Sequence, residues 1–396
     1  VNELLESGST VGLSKHHAAI AEAEDAIARW QDVPYCLGTS SGHGALHAAL
    51  MGLEITGGDE VITTPYTWGA STSCILHNNA VPVFADVEPE TGLLDPDAIG
   101  PVITPRTRAI LVVHIYGQPA NMTAIRRAAD RHGLVVIEDG SQAHGAIHQG
   151  RKVGQFGDAS GFSCMGGKLL ASSEAGYMVT PREEVYWKAA MGCQHMGRVG
   201  EDGFPDELRP YVDSLVYTYR LSPINAVLLA ENLRKLDAEN DGRRANVAVF
   251  REAMAGGKCV SFPTYPAGDI PVYHMLTMNF EPEYAGIGRR TYIEALRAEG
   301  VSIFSYVPSP IPTWRRLDPD AGMPRVMWQD VVRRSGRRYA DVPLPGCEWK
   351  IAHALEMGWN YVTPNPDGMH QLADAFHKVE ENLLALRDYE RSRDAV

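Results

Sequence analysis

The chain has 396 residues, 44% hydrophobic and 21% charged, the composition of a globular protein with room for two or three domains. Acids outnumber lysine plus arginine by 49 to 36, a formal charge of −13, so neither nucleic acid nor an anionic membrane is an expected partner. The 6 scattered cysteines form no C-x-x-C pair, no apolar run reaches the ~18 residues of a membrane span, and VNELLESGST lacks the runs of a secretory signal, so a cytoplasmic protein is expected.

Residues 16–30 (HHAAIAEAEDAIARW) place apolar residues at helical spacing. The chain then alternates short apolar runs with helical segments. The runs are VPYCLGT, DEVITTP, VPVFADV, RAILVVHIYG, LVVIED and GDASGFSC. Between them lie GALHAALMGL, WGASTSCILHNN, residues 95–103 and NMTAIRRAADRHG. Strands with little polar alternation, separated by helices, predict a three-layer α/β/α domain around a mostly parallel sheet. Ligands of such sheets sit at the carboxyl ends of the strands.

After Val179 the pattern loosens into a Gly/Pro-rich stretch, and a long helical segment begins near Pro223 and runs past Leu236. From about residue 241 helices (RRANVAVFREAMAG, RRTYIEALRAEG) mix with strands (VYHMLTMNF, VSIFSYV), and the chain closes on the helix GMHQLADAFHKVEENLLALRDYERS. The expected division is a large domain over residues 1–240, including the N-terminal helix, and a smaller α+β domain over 241–396.

Chemistry concentrates in LVVIEDGSQAHGA and GFSCMGGKLL. Asp139 ends an apolar run, where an acid either caps the next turn or meets the protonated nitrogen of a pyridine ring, letting that ring act as an electron sink. Lys168 sits among small, weakly polar residues. A lone lysine is ordinarily a solvated surface residue, but desolvation there would lower its pKa and favour imine chemistry. The phosphate loop G-x-x-x-x-G-K-[ST] does not fit, because Leu169 follows the lysine and the spacing from Gly161 is one residue too long. GTSSGHGALHAAL leads from a strand through glycines into a helix, whose first N–H groups suit a phosphate. Trp68 follows a strand end and is either a core aromatic or a stacking partner, and Ser163 is either bonded to backbone or a phosphate donor. The 14 histidines show no metal spacing, and no metal is expected.

Taken together, SSGHGAL, GDEVITTPYTW, PVFADVEPETGLLDP, TRAILVVHIYGQPANM, VIEDGSQAHGA and GDASGFS…GGK resemble the DegT/StrS family of pyridoxal-phosphate (PLP) dependent sugar and cyclitol aminotransferases, of aspartate-aminotransferase fold type I. YTYRLSPINAVL and YHMLTMNF extend the likeness. The resemblance implies that Lys168 is the Schiff-base lysine, Asp139 the partner of the pyridine nitrogen, Gln142 a residue close to the ring, Trp68 the stacking aromatic and Ser163 a phosphate-binding serine. Gly42 and His43 fall on the phosphate turn, where the family usually has Thr or Ser in place of His43. Thr218 falls where the neighbouring subunit of a homodimer with shared active sites usually supplies an Asn. The implied activity is transfer of an amino group from glutamate or glutamine to a keto sugar or keto cyclitol, in secondary-metabolite or amino-sugar biosynthesis. Sugar 3-dehydrases of the family carry His in place of the lysine, and Lys168 argues for transamination. Dehydration and aromatisation, as in aminohydroxybenzoate synthase, and a non-catalytic PLP-binding regulator are the alternatives.

Overall fold

The computed structural model describes residues 1–194, 196–321 and 327–394. The apolar runs fold as strands β1 (Tyr35–Thr39), β2 (Glu60–Thr63), β3 (Val81–Phe84), β4 (Thr107–Val113) and β5 (Val135–Asp139). A small hairpin, β6 (Ile147–His148) and β7 (Arg151–Lys152), precedes β8 (Ala159–Ser163) and β9 (Gly176–Thr180). Seven strands form one sheet in the order β1-β9-β8-β5-β4-β2-β3. Strands β3, β2, β4, β5 and β8 run parallel. The strand β9 enters antiparallel between β1 and β8. Both faces of the parallel part are covered, which is why β2 and β3 are buried at every position and β4 at all but one.

A second sheet of β10 (Val260–Ser261), β11 (Met275–Phe280) and β12 (Ala354–Gly358) is antiparallel. Its core, including Phe250, Phe280, Tyr292, Trp359 and Phe376, is separate from that of the large sheet. The helix Pro223–Ala253 begins under the Ser222 cap, with Pro223 in its first turn, and runs 31 residues unbroken. The expected division after residue 240 therefore falls inside a helix. In addition, Ile311, Leu317, Val331, Val332 and Tyr339 pack with Leu76, Val81 and Phe84 of the large sheet.

Three local expectations differ from the structure. Residues 95–103 form two short 3-10 turns, Pro96–Ala98 and Gly100–Val102, instead of a helix; Pro101 has no N–H to continue one. The run VSIFSYV makes a single bridge, Phe304 to Glu356. Two more of its backbone groups are taken by side chains, Arg297 Nε donating to the Ile303 carbonyl and the Tyr306 N–H to the Glu356 carboxylate, while the Ile303 N–H turns back to the Val301 carbonyl. The closing helix is two helices, Pro366–Glu381 and Leu383–Asp394. All 6 cysteines are free and buried. Among the described residues no helix is long and apolar enough to cross a membrane.

Candidate active site

Adjacent strands β5 and β8 run parallel with Asp139 opposite Gly161, so Asp139 and Ser163 emerge at the same edge of the sheet. The helix Gly42–Gly52 starts against that edge. Ser41 caps it by accepting from the Gly44 N–H at 3.0 Å. The approach demands glycine: a Cβ on Gly42 would lie 2.4 Å from Ser163 Cβ, and one on Gly176 2.4 Å from the Ser41 carbonyl carbon. Between the helix start and the strand ends lies a cavity of about 520 Å³. Gly42, His43, Trp68, Asp139, Gln142, Ser163 and Lys168 all line it. Seven of the eight residues singled out from the sequence thus converge. The eighth, Thr218, is exposed and does not line the cavity.

Alternation along β5 gives its last two acids opposite jobs. Glu138 faces the other side, fully buried, and accepts from the N–H groups of Gly154, Phe156 and Gly157 at 2.8, 2.8 and 2.6 Å. His114 of the β4 end lies 3.0 Å away. Burial alone would raise the Glu138 carboxyl, but His114 and these N–H donors hold it below the usual range. The strand end is thereby locked. Asp139 faces the cavity with 5% exposure. Its Oδ2 accepts from the Ser71 hydroxyl at 2.7 Å and its Oδ1 from the Ser141 N–H at 3.1 Å. Two bonds fix the carboxylate and leave lone pairs for a ring N–H.

Lys168 sits on a turn in which its own N–H donates to the Met165 carbonyl at 2.8 Å. Burial lowers the pKa of its amine, with Asp139 and Cys164 opposing that shift. His274 joins it in the cavity wall, and His144 lies behind. Burial first, then the lysine's charge, lowers both imidazoles to about 3. Burial thus works in the direction a nucleophilic amine requires, toward the unprotonated form.

Gln142 is held at both ends: its Oε1 accepts from the Tyr116 N–H at 2.7 Å and its Nε2 donates to the Tyr306 hydroxyl at 3.2 Å. Tyr116 adopts φ 64°, a left-handed conformation that a bulky residue enters only under constraint. Its hydroxyl donates at 2.9 Å to the buried Glu356, which also accepts from Tyr66 at 3.0 Å. Burial raises the Tyr306 hydroxyl to about 12, so it stays a neutral donor. Trp68 is 62% exposed, its indole tilted 32° from the Tyr306 ring at 6.4 Å.

Sequence reasoning missed Ser71, Ser141, His274 and Tyr306. Ser71 and Ser141 stand three and two residues from Trp68 and Asp139, a local signal that could have found them; Tyr306 and His274 come from the second half of the chain, where no local pattern marks them. Among the described residues no cluster of His, Cys, Asp or Glu could hold a metal.

A family model described as the DegT/DnrJ/EryC1/StrS aminotransferase family matches residues 1–322. The chain belongs to that family. This aminotransferase is 33% identical to an L-glutamine:2-deoxy-scyllo-inosose aminotransferase of Streptoalloteichus tenebrarius, over 95% of the chain and 90% of that relative. It superposes on the aminotransferase of Psychrobacter cryohalolentis with a TM-score of 0.83 at 27% identity, covering 97% of this chain and 96% of that one. It also superposes on DesV of S. venezuelae, solved with a ketimine intermediate, at 28% identity and a TM-score of 0.78, covering 96% and 93% of the two chains.

Proposed function

We propose that this aminotransferase moves an amino group from L-glutamine or glutamate to a keto cyclitol or keto sugar, with pyridoxal 5′-phosphate as its cofactor. The observation that carries the reading is the meeting of Asp139 and Lys168 in one cavity whose rim is a glycine-cradled helix start. A phosphorylated pyridine fits that set. Gly42 leaves no room for a side chain between the helix and Ser163, so an anion reaches the helix N–H groups unobstructed. Asp139 is a buried carboxylate with no ion pair among the described residues. The relatives named for 2-deoxy-scyllo-inosose support a cyclitol as acceptor and glutamine as donor.

When bound, the cofactor supplies an electron sink for the carbon that carries the amine. Asp139 would hold the ring nitrogen protonated, and Ser71 and Ser141 hold Asp139. Lys168, its pKa lowered by burial, would bond the cofactor at rest and, once displaced by an amine, take a proton from the substrate carbon and return it. Trp68 would offer an indole face for stacking, and Gln142, tied to Tyr306, would help hold the ring. Gly42, His43 and Ser163 would face the phosphate. Thr218, exposed and outside this cavity, is free to reach the site of a second copy in a homodimer. A cytoplasmic setting agrees with 6 free, buried cysteines.

The test is turnover of L-glutamine with 2-deoxy-scyllo-inosose against a nucleotide-linked keto sugar, with the amine product followed by mass spectrometry. Lys168→Ala should abolish turnover and the absorption of lysine-linked cofactor. Normal turnover in that variant ends the proposal.

A further inference from the structure

His43, the second residue of the helix Gly42–Gly52, faces the 520 Å³ cavity on one side. On the other it faces a neighbouring cavity of about 480 Å³ lined by Trp68, Trp314 and Trp328. Its Nε2 lies 2.7 Å from Nδ1 of His77, at the end of the helix Ala70–His77, with the rings edge-on at 4.7 Å. Its Nδ1 lies 3.3 Å from the Ser73 hydroxyl. One turn on, His47 meets the Tyr219 hydroxyl at 3.0 Å, and its ring is 6.2 Å from His77. Two imidazoles at 2.7 Å must share a hydrogen, so the pair is already arranged to hold one proton more.

The surroundings of the free chain disfavour that proton. From its own helix His43 faces His47; from the helix Ala70–His77 it faces Ser73 and His77. Trp328 flanks His77, Tyr217 and Tyr219 flank His47, and Arg316 lines the neighbouring cavity. Among the described residues lining either cavity Asp139 is the sole carboxylate, and it is held by Ser71 and Ser141. Burial, and then the neighbouring histidines, lower His43 to about 4; His77 is lowered by burial. Among the described residues, then, the phosphate end of the cavity offers a dianion backbone N–H groups and hydroxyls, but no permanent cation. Lys168 is occupied by its own chemistry, and His274 lies against it and is held at about 3.

We propose that His43 and His77 are a proton-sharing pair that takes up one proton from solvent when a phosphate dianion binds at the start of the helix Gly42–Gly52, and that this shared cation is the counter-charge of the cofactor's phosphate. The proposal rests on the PLP reading above. The balance is simple: two neutral imidazoles and one proton become one imidazole–imidazolium pair, and no other bond changes. Charge near a group shifts its protonation toward neutralising that charge. The dianion therefore acts against the burial that keeps the pair neutral.

The experiment is calorimetric titration of cofactor-free protein with pyridoxamine 5′-phosphate, which cannot bond Lys168. It is run at pH 7 in buffers of different ionisation enthalpy, for wild type, His43→Gln and His77→Phe. Protons released or taken up by the ligand itself cancel between proteins. Wild type should take up about one proton more per site than each variant and bind at least about tenfold more tightly. Equal proton counts in all three, with binding intact, overturn the pair and leave the cofactor reading standing. Failure of wild type to bind pyridoxamine 5′-phosphate or, in a parallel titration, pyridoxal 5′-phosphate overturns both. The two substitutions lie on different helices, so misfolding of one leaves the comparison with the other.

Discussion

Gly42→Ala probes the contact on which the cofactor reading turns. The added Cβ would meet Ser163 Cβ at 2.4 Å, Cα at 2.7 Å and the backbone nitrogen at 2.9 Å. Carbon atoms in contact sit ~3.5–4.0 Å apart, so the helix start must retreat from β8 by roughly 1 Å. Two of the three blocking atoms are backbone and cannot rotate away. Overpacking of this kind costs about 1–3 kcal/mol. A hydrogen bond from a helix N–H to phosphate has a reach of ~2.7–3.2 Å, and a 1 Å retreat takes it out of range. Each such charge-assisted bond contributes about 1.5–3 kcal/mol, so affinity for pyridoxal phosphate should fall roughly 10- to 150-fold per bond lost. The assay is thermal unfolding of the cofactor-free protein together with absorbance titration by pyridoxal phosphate. Gly57→Ala, whose Cβ would have ordinary contact at 3.6 Å, is the control. If Gly42→Ala matches wild type in melting temperature and binds within about threefold, the close-approach argument is wrong.

Trp68→Ala separates binding from folding. Because the indole is 62% exposed, stability should stay within about 0.5 kcal/mol, while loss of stacking weakens cofactor binding by about 0.5–1.5 kcal/mol; a collapse in stability would instead make Trp68 a packing residue. Glu138 should show in pH: its folded pKa is depressed, so its stabilisation is present above the ordinary glutamate value of 4.5 and drains as pH falls through the lower folded value. Glu138→Gln should cost about 3–5 kcal/mol at pH 7 and flatten that acid limb in urea unfolding; an unchanged limb refutes the assignment. Gln142→Leu leaves the Tyr116 N–H without its acceptor and should cost about 1–3 kcal/mol, read by the same method; no loss would mean another acceptor replaces it.

What the sequence reveals and what it hides follow from where each signal lies. Asp139, Ser163 and Gly42 are legible because each ends a strand or opens a helix, and such positions are marked locally by apolar runs and glycines. Ser71 stands beside Trp68 in sequence, but its bond to Asp139 spans 68 residues, and Tyr306 meets Gln142 across 164, a separation at which a single tyrosine carries no pattern. The strand β9 is hidden for another reason. GYMVT follows a loop of small polar residues, and its antiparallel place between β1 and β8 is set by partners on both sides, not by its own periodicity. The opposite error occurs in VSIFSYV, which has the composition of a strand but spends the Ile303 carbonyl on Arg297 and the Tyr306 N–H on the Glu356 carboxylate.

The helix Pro223–Ala253 also limits how the molecule breathes. At 1.5 Å per residue its 31 residues make a rod of roughly 46 Å, and both halves of the protein are bolted to it. Asn240 donates to the His144 carbonyl behind the lysine, Trp359 donates to the Arg243 carbonyl, and Asn246 donates to the carbonyls of Tyr361 and Thr363. A hinge needs residues that absorb large backbone rotations, and a continuous helix has none to spare. Traffic of donor and acceptor through the site thus falls to the loops above it, not to a swing of one half on the other. Amide exchange should find the middle of this rod among the slowest backbone in the chain.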